Sequence, residues 1–130
     1  MVRYIHNEQS SSLNRETTMN LFCIKTLKNF DKVNGTSLVG TLNVNYDDLV
    51  ELFGEPMAGY DYKTDAEWAL ELCFHGGESH VVTIYNWKNG KNYMGKDGLD
   101  VDKITRWNVG GHSVKSHQLL SNAIREMLRK

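Results

Sequence analysis

The sequence predicts a small α+β domain in which an antiparallel sheet of about four strands carries two helices on one face. Apolar and polar residues alternate along residues 66–74, as in a half-buried strand, and apolar residues recur at helical spacing along residues 113–129. Turn residues separate the patterned segments, and strands joined by short turns pair antiparallel. The predicted order of elements is β-α-β-β-β-α.

The first predicted strand covers about residues 38–44, after the turn signal Asn34-Gly35. A helix then begins after Asn45, whose side chain is expected to accept a free backbone N–H. Gly54 and Pro56 end this helix, because glycine tolerates the left-handed cap and proline does not continue a helix. Its apolar face consists of Tyr46, Leu49, Val50 and Phe53.

Residues 66–74 form the clearest strand, and the turn Gly76-Gly77 should pair it with residues 80–87. A connection over residues 88–101 leads to a last strand at about 103–109, which breaks at Gly110-Gly111 before the final helix. Two helices on one face give a core of Trp68, Leu70, Leu72, Val82, Ile84, Trp107 and Val109. The opposite face then carries Glu67, Glu71, Thr83, Tyr85, Trp87, Arg106 and Asn108, and we expect it to be open for a partner.

Length and composition indicate one globular domain of residues 19–130, preceded by a flexible polar tail of residues 1–18. Residues 21–28 fit either a short strand or a helical turn. The chain carries 15 Lys and Arg against 16 Asp and Glu, which disfavours a non-specific duplex DNA binder. No apolar run is long enough for a membrane helix, and no export signal is visible. We therefore expect a cytosolic protein with two buried, reduced cysteines.

Candidate binding residues gather near the last strand. Aromatic rings stack on bases and an arginine can stack or bind phosphate, while two glycines before a helix start can direct backbone N–H groups at an anion. Each feature also has an ordinary structural explanation, namely a tight turn for the glycines and a core or oligomer interface for the aromatic residues. The candidate ligand-binding residues are Trp87, Tyr93, Arg106, Gly110, Gly111, His112 and Ser113.

Metal binding and catalysis find little support in the sequence. His75 and His80 flank the glycine turn, but with Cys73 they match no standard zinc spacing. Glu67 and Glu71 would lie about 13 Å apart along one strand, too far for a glycosidase pair. No catalytic motif is present, so we expect no metal and no cofactor, and we favour a binding function over an enzymatic one.

Five segments of the chain resemble a family of small, mostly uncharacterised proteins encoded by tailed bacteriophages and prophages. They are 34–38, 49–56, 63–68, 83–88 and 107–112, and the resemblance covers about residues 33–126. It implies a phage product that is made in the cytoplasm of a bacterial host. It implies no catalytic residues.

The resemblance and the binding residues together give a first hypothesis, a non-enzymatic phage accessory protein. Its expected partner is a host defence protein or a nucleotide second messenger that it sequesters. We expect it to form a homo-oligomer and to bind neither membranes nor duplex DNA non-specifically. Two alternatives stay open. One is a hydrolase of nucleotides or phosphoesters that uses His112 with a carboxylate, and the other is a structural component of the virion.

Overall fold

The computed structural model describes residues 2–4, 21–59 and 61–129. The strands of this part of the chain are β1 (Val2–Tyr4), β2 (Leu21–Leu27), β3 (Ser37–Asn43), β4 (Met57–Ala58), β5 (Ala66–Phe74), β6 (Ser79–Tyr85) and β7 (Arg106–Gly111). The helices are α1 (Tyr46–Phe53), α2 (Lys91–Met94) and α3 (Val114–Leu128), and 3₁₀ turns lie at Asp31–Val33, Gly95–Asp97 and Val101–Lys103.

The strands form one sheet in the order β1-β2-β5-β6-β7-β3, with β4 added to β5, and all of these neighbours pair antiparallel. The predicted α+β class with an antiparallel sheet is therefore confirmed, although the described residues contain seven strands rather than about four. Of the predicted tail, residues 2–4 form β1, and the other residues lie outside the described part. Residues 21–27 form a strand, not a helical turn. A bulge between Leu21 and Cys23 interrupts the alternation of apolar and polar residues, so the sequence pattern does not identify this strand.

The predicted ends of β6 and β7 are wrong. β6 stops at Tyr85, so Asn86 and Trp87 leave the sheet. β7 continues through Gly110 and Gly111 instead of breaking there, and both glycines pair with β3 and β6. Glycine is needed at both positions because of close approach: a Cβ at Gly110 would lie 2.5 Å from Thr83 Oγ1, and one at Gly111 would lie 3.0 Å from Ser116 Cβ.

Helices α1 and α3 cover the same face of the sheet, as predicted, and their apolar residues share one core with it. All seven predicted core residues are buried. At the centre, the indoles of Trp68 and Trp107 meet edge to face at 5.4 Å. Each indole N–H donates to a carbonyl next to α1, that of Gly54 at 2.8 Å and that of Val44 at 2.9 Å. The two tryptophans therefore attach α1 to the sheet through packing and through hydrogen bonds.

The caps of α1 and α3 agree only in part with the expected capping. Gly54 ends α1 with φ of 85°, as the sequence predicts. Asn45 occupies the N-cap position, but its side chain makes no capping hydrogen bond, so that expectation is wrong. Ser113 is likewise the N-cap residue of α3 without a side-chain capping bond; its Oγ lies 3.5 Å from Ser116 Oγ.

The face opposite the helices, called the reverse face below, is partly covered. Consecutive strands β2 and β3 are separated by β5, β6 and β7 in the strand order, so residues 28–36 must cross the sheet between them. They cross on the reverse face, where Lys32 Nζ lies 3.2 Å from Glu71 Oε1. Thr83 and Glu67 are buried there. The expectation of a fully open reverse face is therefore wrong, because a local pattern does not reveal which connection covers it.

The cysteines and His117 pack as follows in the described residues. Cys23 and Cys73 are both free, as predicted, and the register places them directly opposite each other on β2 and β5. Cys23 is buried, whereas Cys73 is half-buried, so the expected burial is confirmed for Cys23 and wrong for Cys73. His117 on α3 is half-buried above Gly40, and its Nε2 lies 2.9 Å from the Thr41 carbonyl oxygen. Among the helices described, none is long and apolar enough to span a membrane.

Replacing Trp68 by alanine should destabilise the protein by about 3–5 kcal/mol, because it removes a fully buried aromatic side chain and the hydrogen bond to Gly54. Urea unfolding followed by far-UV circular dichroism measures this change. Trp87→Ala is the matched control, since Trp87 is 42% exposed, and it should cost far less. A small effect at Trp68 would contradict the described core.

Candidate functional site

The described surface carries a group of aromatic rings and lysines beside the end of β6, which we call the aromatic–lysine cluster: Tyr62, Lys63, Trp87, Lys88 and Tyr93. The rings of Tyr62 and Tyr93 stack at 5.8 Å with planes 17° apart. Lys63 Nζ lies 5.3 Å and Lys88 Nζ 5.8 Å from the centre of the Trp87 ring. The three rings are 42–63% exposed, so the cluster presents π-faces and positive charge to solvent together.

Asn86 holds the two chain segments of the cluster together. Its side chain is fully buried, and its Oδ1 accepts hydrogen bonds from the backbone N–H of Asp65 at 2.7 Å and of Ala66 at 3.1 Å. Its Nδ2 donates to Asp65 Oδ1 at 2.8 Å and to Asn89 Oδ1 at 3.0 Å. One buried amide therefore satisfies four bonds and fixes the start of β5 against the loop that carries Trp87.

Asp65 extends this network to α2. Its Oδ2 accepts the backbone N–H of Asn92 at 3.1 Å, and Asn92 Nδ2 donates to the Thr64 carbonyl at 3.2 Å. Gly90 permits the approach, since a Cβ there would lie 2.0 Å from Asp65 Oδ1. The short helix that carries Tyr93 is thus attached to the residues that follow Tyr62 and Lys63.

Lys88 adopts an unusual backbone conformation, with φ of 61°. A non-glycine residue in the left-handed region is uncommon and costs about 1–2 kcal/mol, a cost that the surrounding bonds must offset. Its backbone N–H donates to the Lys63 carbonyl at 2.8 Å. The sharp turn that results brings Lys88 Nζ over Trp87 and within 5.5 Å of the centre of the Tyr93 ring.

A cavity of about 200 Å³ adjoins the cluster on the reverse face. Trp87 belongs both to the cluster and to the lining of the cavity. The walls of the cavity are formed by the crossing segment and residues 61–64, and its floor is formed by β5, β6 and β7. The residues around it are Val33, Thr36, Ser37, Asp61, Thr64, Glu67, Thr83, Tyr85, Trp87 and Gly110. The charged groups in this set are both carboxylates, whereas the charged groups of the cluster are both lysines.

The cavity floor is polar yet shielded from solvent. Glu67 and Tyr85 lie directly opposite each other on β5 and β6, and Asn108 follows on β7. Burial raises the pKa of the Tyr85 hydroxyl, and the neighbouring Glu67 raises it further, whereas a hydrogen bond with Asn108 opposes them. The phenol therefore stays protonated at neutral pH as a hydrogen-bonding group in the floor.

The structure brings together some of the predicted ligand residues and separates others. Trp87 and Tyr93 belong to the aromatic–lysine cluster, and Gly110 lines the adjoining cavity. Arg106 is exposed at the start of β7, and the alternation of side chains places it on the reverse face with Asn108. Pairing of β6 with β7 ends at Asn108, before Arg106.

The remaining predicted residues lie at the other end of β7. Gly111 faces Ser116 on the helix-covered side, and His112 is exposed beside Gly35. The register puts His112 about six residues along β6 from Trp87, on the order of 20 Å at ~3.3 Å per residue. Together with the pairing of both glycines in the sheet, this distance separates the predicted anion site at the start of α3 from the cluster.

Sequence reasoning missed Tyr62, Lys63, Lys88 and the supporting Asn86 and Asp65. A signal for part of the cluster existed, since Lys88, Lys91 and Tyr93 crowd around the turn at Asn89-Gly90. The approach of residues 61–65 to that turn carried no local signal.

The histidines of the hairpin contact other side chains. His75 meets the ring of Phe22, and His80 bonds Glu78 and lies 3.4 Å from Ser116 Oγ through Nδ1. No group of three metal-ligating side chains occurs among the residues that the structure describes.

Comparisons of this chain with protein-family models, with curated proteins and with solved structures found no match.

Asn86→Ala should lower stability by about 2–3 kcal/mol, because it leaves two backbone N–H groups and part of the Asp65 carboxylate without partners. Hydrogen exchange should also accelerate locally in residues 86–94. Asn89→Ala serves as the control because it removes one bond to Asn86 and no backbone partner. Equal effects of the two changes would show that Asn86 does not organise the cluster.

Stability should fall as the pH rises above 9. The pKa of Cys73 is raised from 9.0 by burial and by Cys23, and that of Tyr85 is raised from 10.0 by burial and Glu67. The folded state thus retains protons that the unfolded state releases, so the free energy of unfolding decreases through this range. Urea midpoints between pH 7 and 11 measure the loss of stability. Tyr85→Phe should reduce the part of this loss that occurs above pH 10, and an unchanged profile would contradict the raised pKa of Tyr85.

Proposed function

We propose that this chain is a non-enzymatic binding protein whose aromatic–lysine cluster takes a nucleotide. The observation that carries the proposal is the placement of two lysine ammonium groups within 5.8 Å of the exposed Trp87 ring. A nucleotide combines a flat aromatic base with a negatively charged phosphate, and the cluster offers a counterpart to each.

The rings supply surfaces for stacking. Base–aromatic stacking contributes about 1–3 kcal/mol per base, and it suits any base because each has a π-face. Trp87 and Tyr93 are each 42% exposed, and Tyr62 is 63% exposed, so bases can reach them without unfolding of the domain. The bonds of Asn86 and Asp65 fix the chain segments in advance, which lowers the entropy lost on binding.

The lysines supply charge in a protein that has little net charge. The whole chain has a net charge of −1, so a general attraction to nucleic acid is not expected. Positive charge at one aromatic surface suits instead a small ligand or a short single strand. Arg106, on the same sheet face, is a further cation for a longer ligand.

The resemblance to phage-encoded proteins suggests the setting of this binding. We propose that the protein acts in the cytoplasm of a bacterial host and counteracts host defence by sequestering a nucleotide signal. A host defence protein is the alternative partner in the same setting. Neither a homo-oligomer nor a role in the virion is needed for the cluster to bind a nucleotide.

Binding can be followed through the intrinsic fluorescence of the protein. Of its three tryptophans, Trp68 and Trp107 are fully buried, so a stacked ligand should quench Trp87 selectively. We expect 5′-nucleotides to quench the emission, and a nucleotide to co-purify from a bacterial host in native mass spectrometry. Recovery of intact ligand supports sequestration, whereas turnover to product would support the hydrolase alternative.

Two variants test the cluster. Trp87→Ala should weaken nucleotide binding by about 5- to 150-fold, which corresponds to the loss of ~1–3 kcal/mol of stacking. The double variant Lys63→Ala and Lys88→Gly should weaken it at least about tenfold and reduce its salt dependence. Glycine at position 88 also relieves the left-handed backbone, so folding is preserved.

The matched control is Lys103→Ala with Arg125→Ala, which removes two exposed cations outside the cluster and changes the net charge equally. This control should bind nucleotides like the unaltered protein. Equal losses in both double variants would attribute the effect to net charge, and no nucleotide binding by the unaltered protein would reject the proposal in favour of a protein partner.

A further inference from the structure

We propose that the cavity beside Trp87 selects a guanine base, with the Glu67 carboxylate accepting hydrogen bonds from the base edge. This inference rests on the proposed nucleotide binding and adds the identity of the base. The two neighbouring sites differ in the sign of their charge: the cluster carries lysines, whereas the adjoining cavity carries carboxylates.

The cavity suits a base better than a phosphate. Its charged groups, Asp61 and Glu67, would repel an anion at short range, and the described residues that line it include no lysine or arginine. Its volume of about 200 Å³ is smaller than the pockets of drug-sized ligands, which begin near ~300 Å³. A planar base that enters along Trp87 would thus leave its phosphate outside, on the side of the lysines.

Glu67 lies in the floor of this cavity in a shielded position. Its residue is 9% exposed, and on β5 it pairs with Met57 of β4 on one side and with Tyr85 of β6 on the other. The register sets it directly opposite Tyr85 on β6, and both residues line the cavity. A carboxylate held on a central strand is a more precise hydrogen-bond acceptor than one on a mobile loop.

The chemistry of the base edges decides which base fits. In this proposal Glu67 is ionised, and an ionised carboxylate only accepts hydrogen bonds, through two oxygens side by side. Guanine presents two adjacent donors, the ring N1–H and the exocyclic N2 amine, which match those oxygens. Adenine and cytosine place an acceptor nitrogen next to their amine, and uracil places carbonyl oxygens beside its single N–H, so each would set an acceptor against the carboxylate. The hydroxyls of Thr83 and Tyr85 can turn to donate to other atoms of the base.

Isothermal titration with GMP, AMP, CMP and UMP tests the selection on the unaltered protein. We expect GMP to bind at least about tenfold more tightly than each of the others. Inosine 5′-monophosphate, which retains N1–H and lacks the N2 amine, should bind about tenfold more weakly than GMP. Guanosine should lose affinity through the missing phosphate, and this loss should disappear in the Lys63→Ala, Lys88→Gly variant.

Glu67→Gln tests the residue. The amide keeps the size of the side chain but adds donors, so the preference for GMP over AMP should fall at least about tenfold while AMP affinity stays within about twofold. Asp61→Asn is the control, since an amide oxygen can still accept the N–H of Lys63, and it should keep the preference. Melting temperatures establish that both variants fold, and the inosine comparison does not depend on any variant.

The outcomes separate the inference from the proposal beneath it. Equal binding of the four monophosphates, with losses in the Trp87 and lysine variants, would overturn guanine selection and keep nucleotide binding. A preference for GMP that Glu67→Gln leaves unchanged would overturn the role of Glu67. Absence of binding by every nucleotide would overturn both.

Discussion

The path of one connection determines what the reverse face of the sheet can do. Four strand spacings separate β2 from β3, a distance of about 19 Å at ~4.8 Å per spacing. Residues 28–36 can span it because nine residues reach about 30 Å when extended. The helices already occupy the other face, so the segment crosses the reverse face and buries part of it. The cavity beside Trp87 exists because this segment stands over strands that would otherwise be open.

A second constraint acts at the end of β6, where a buried amide replaces the pairing of strands. Asn86 leaves the sheet, and its side chain continues the bonding that the strand no longer provides to residues 65 and 66. Because the Asn86 side chain makes these bonds, Trp87 is not needed for strand pairing and turns outward. The exposed ring thus depends on a fully buried polar group, and a network of this kind stabilises a single arrangement only when each member is satisfied.

The sequence predicted well those features that depend on local patterns. The hairpin at Gly76-Gly77, the span of β5 and the burial of Trp68 and Trp107 all follow from alternation, turn chemistry and one-sided helices. The strand order could not be predicted, because pairing between distant segments produces no periodic pattern in the sequence. For the same reason Trp87 was recognised as a candidate while Tyr62 and Lys63, which approach it from another part of the chain, were not.

The two glycines before α3 have a different role in the structure from the one that the sequence suggested. Gly110 and Gly111 suggested a loop that binds anions, but their lack of a side chain lets Thr83 and Ser116 approach the strand from its two faces. Glycine in a sequence signals close approach or an unusual backbone, and a single sequence does not distinguish a ligand from a neighbouring side chain as the group that approaches.

The β5–β6 hairpin has a consequence for how the chain folds. Its strands are joined by a tight turn, so their contacts close a short loop, whereas β3 must find β7 across about half of the chain. Short loops close at lower entropic cost, and distant pairings slow the search for the native topology. We therefore expect the hairpin to form early and the outer strands to add later. A truncated chain that lacks β7 would leave β3 without a strand to pair with.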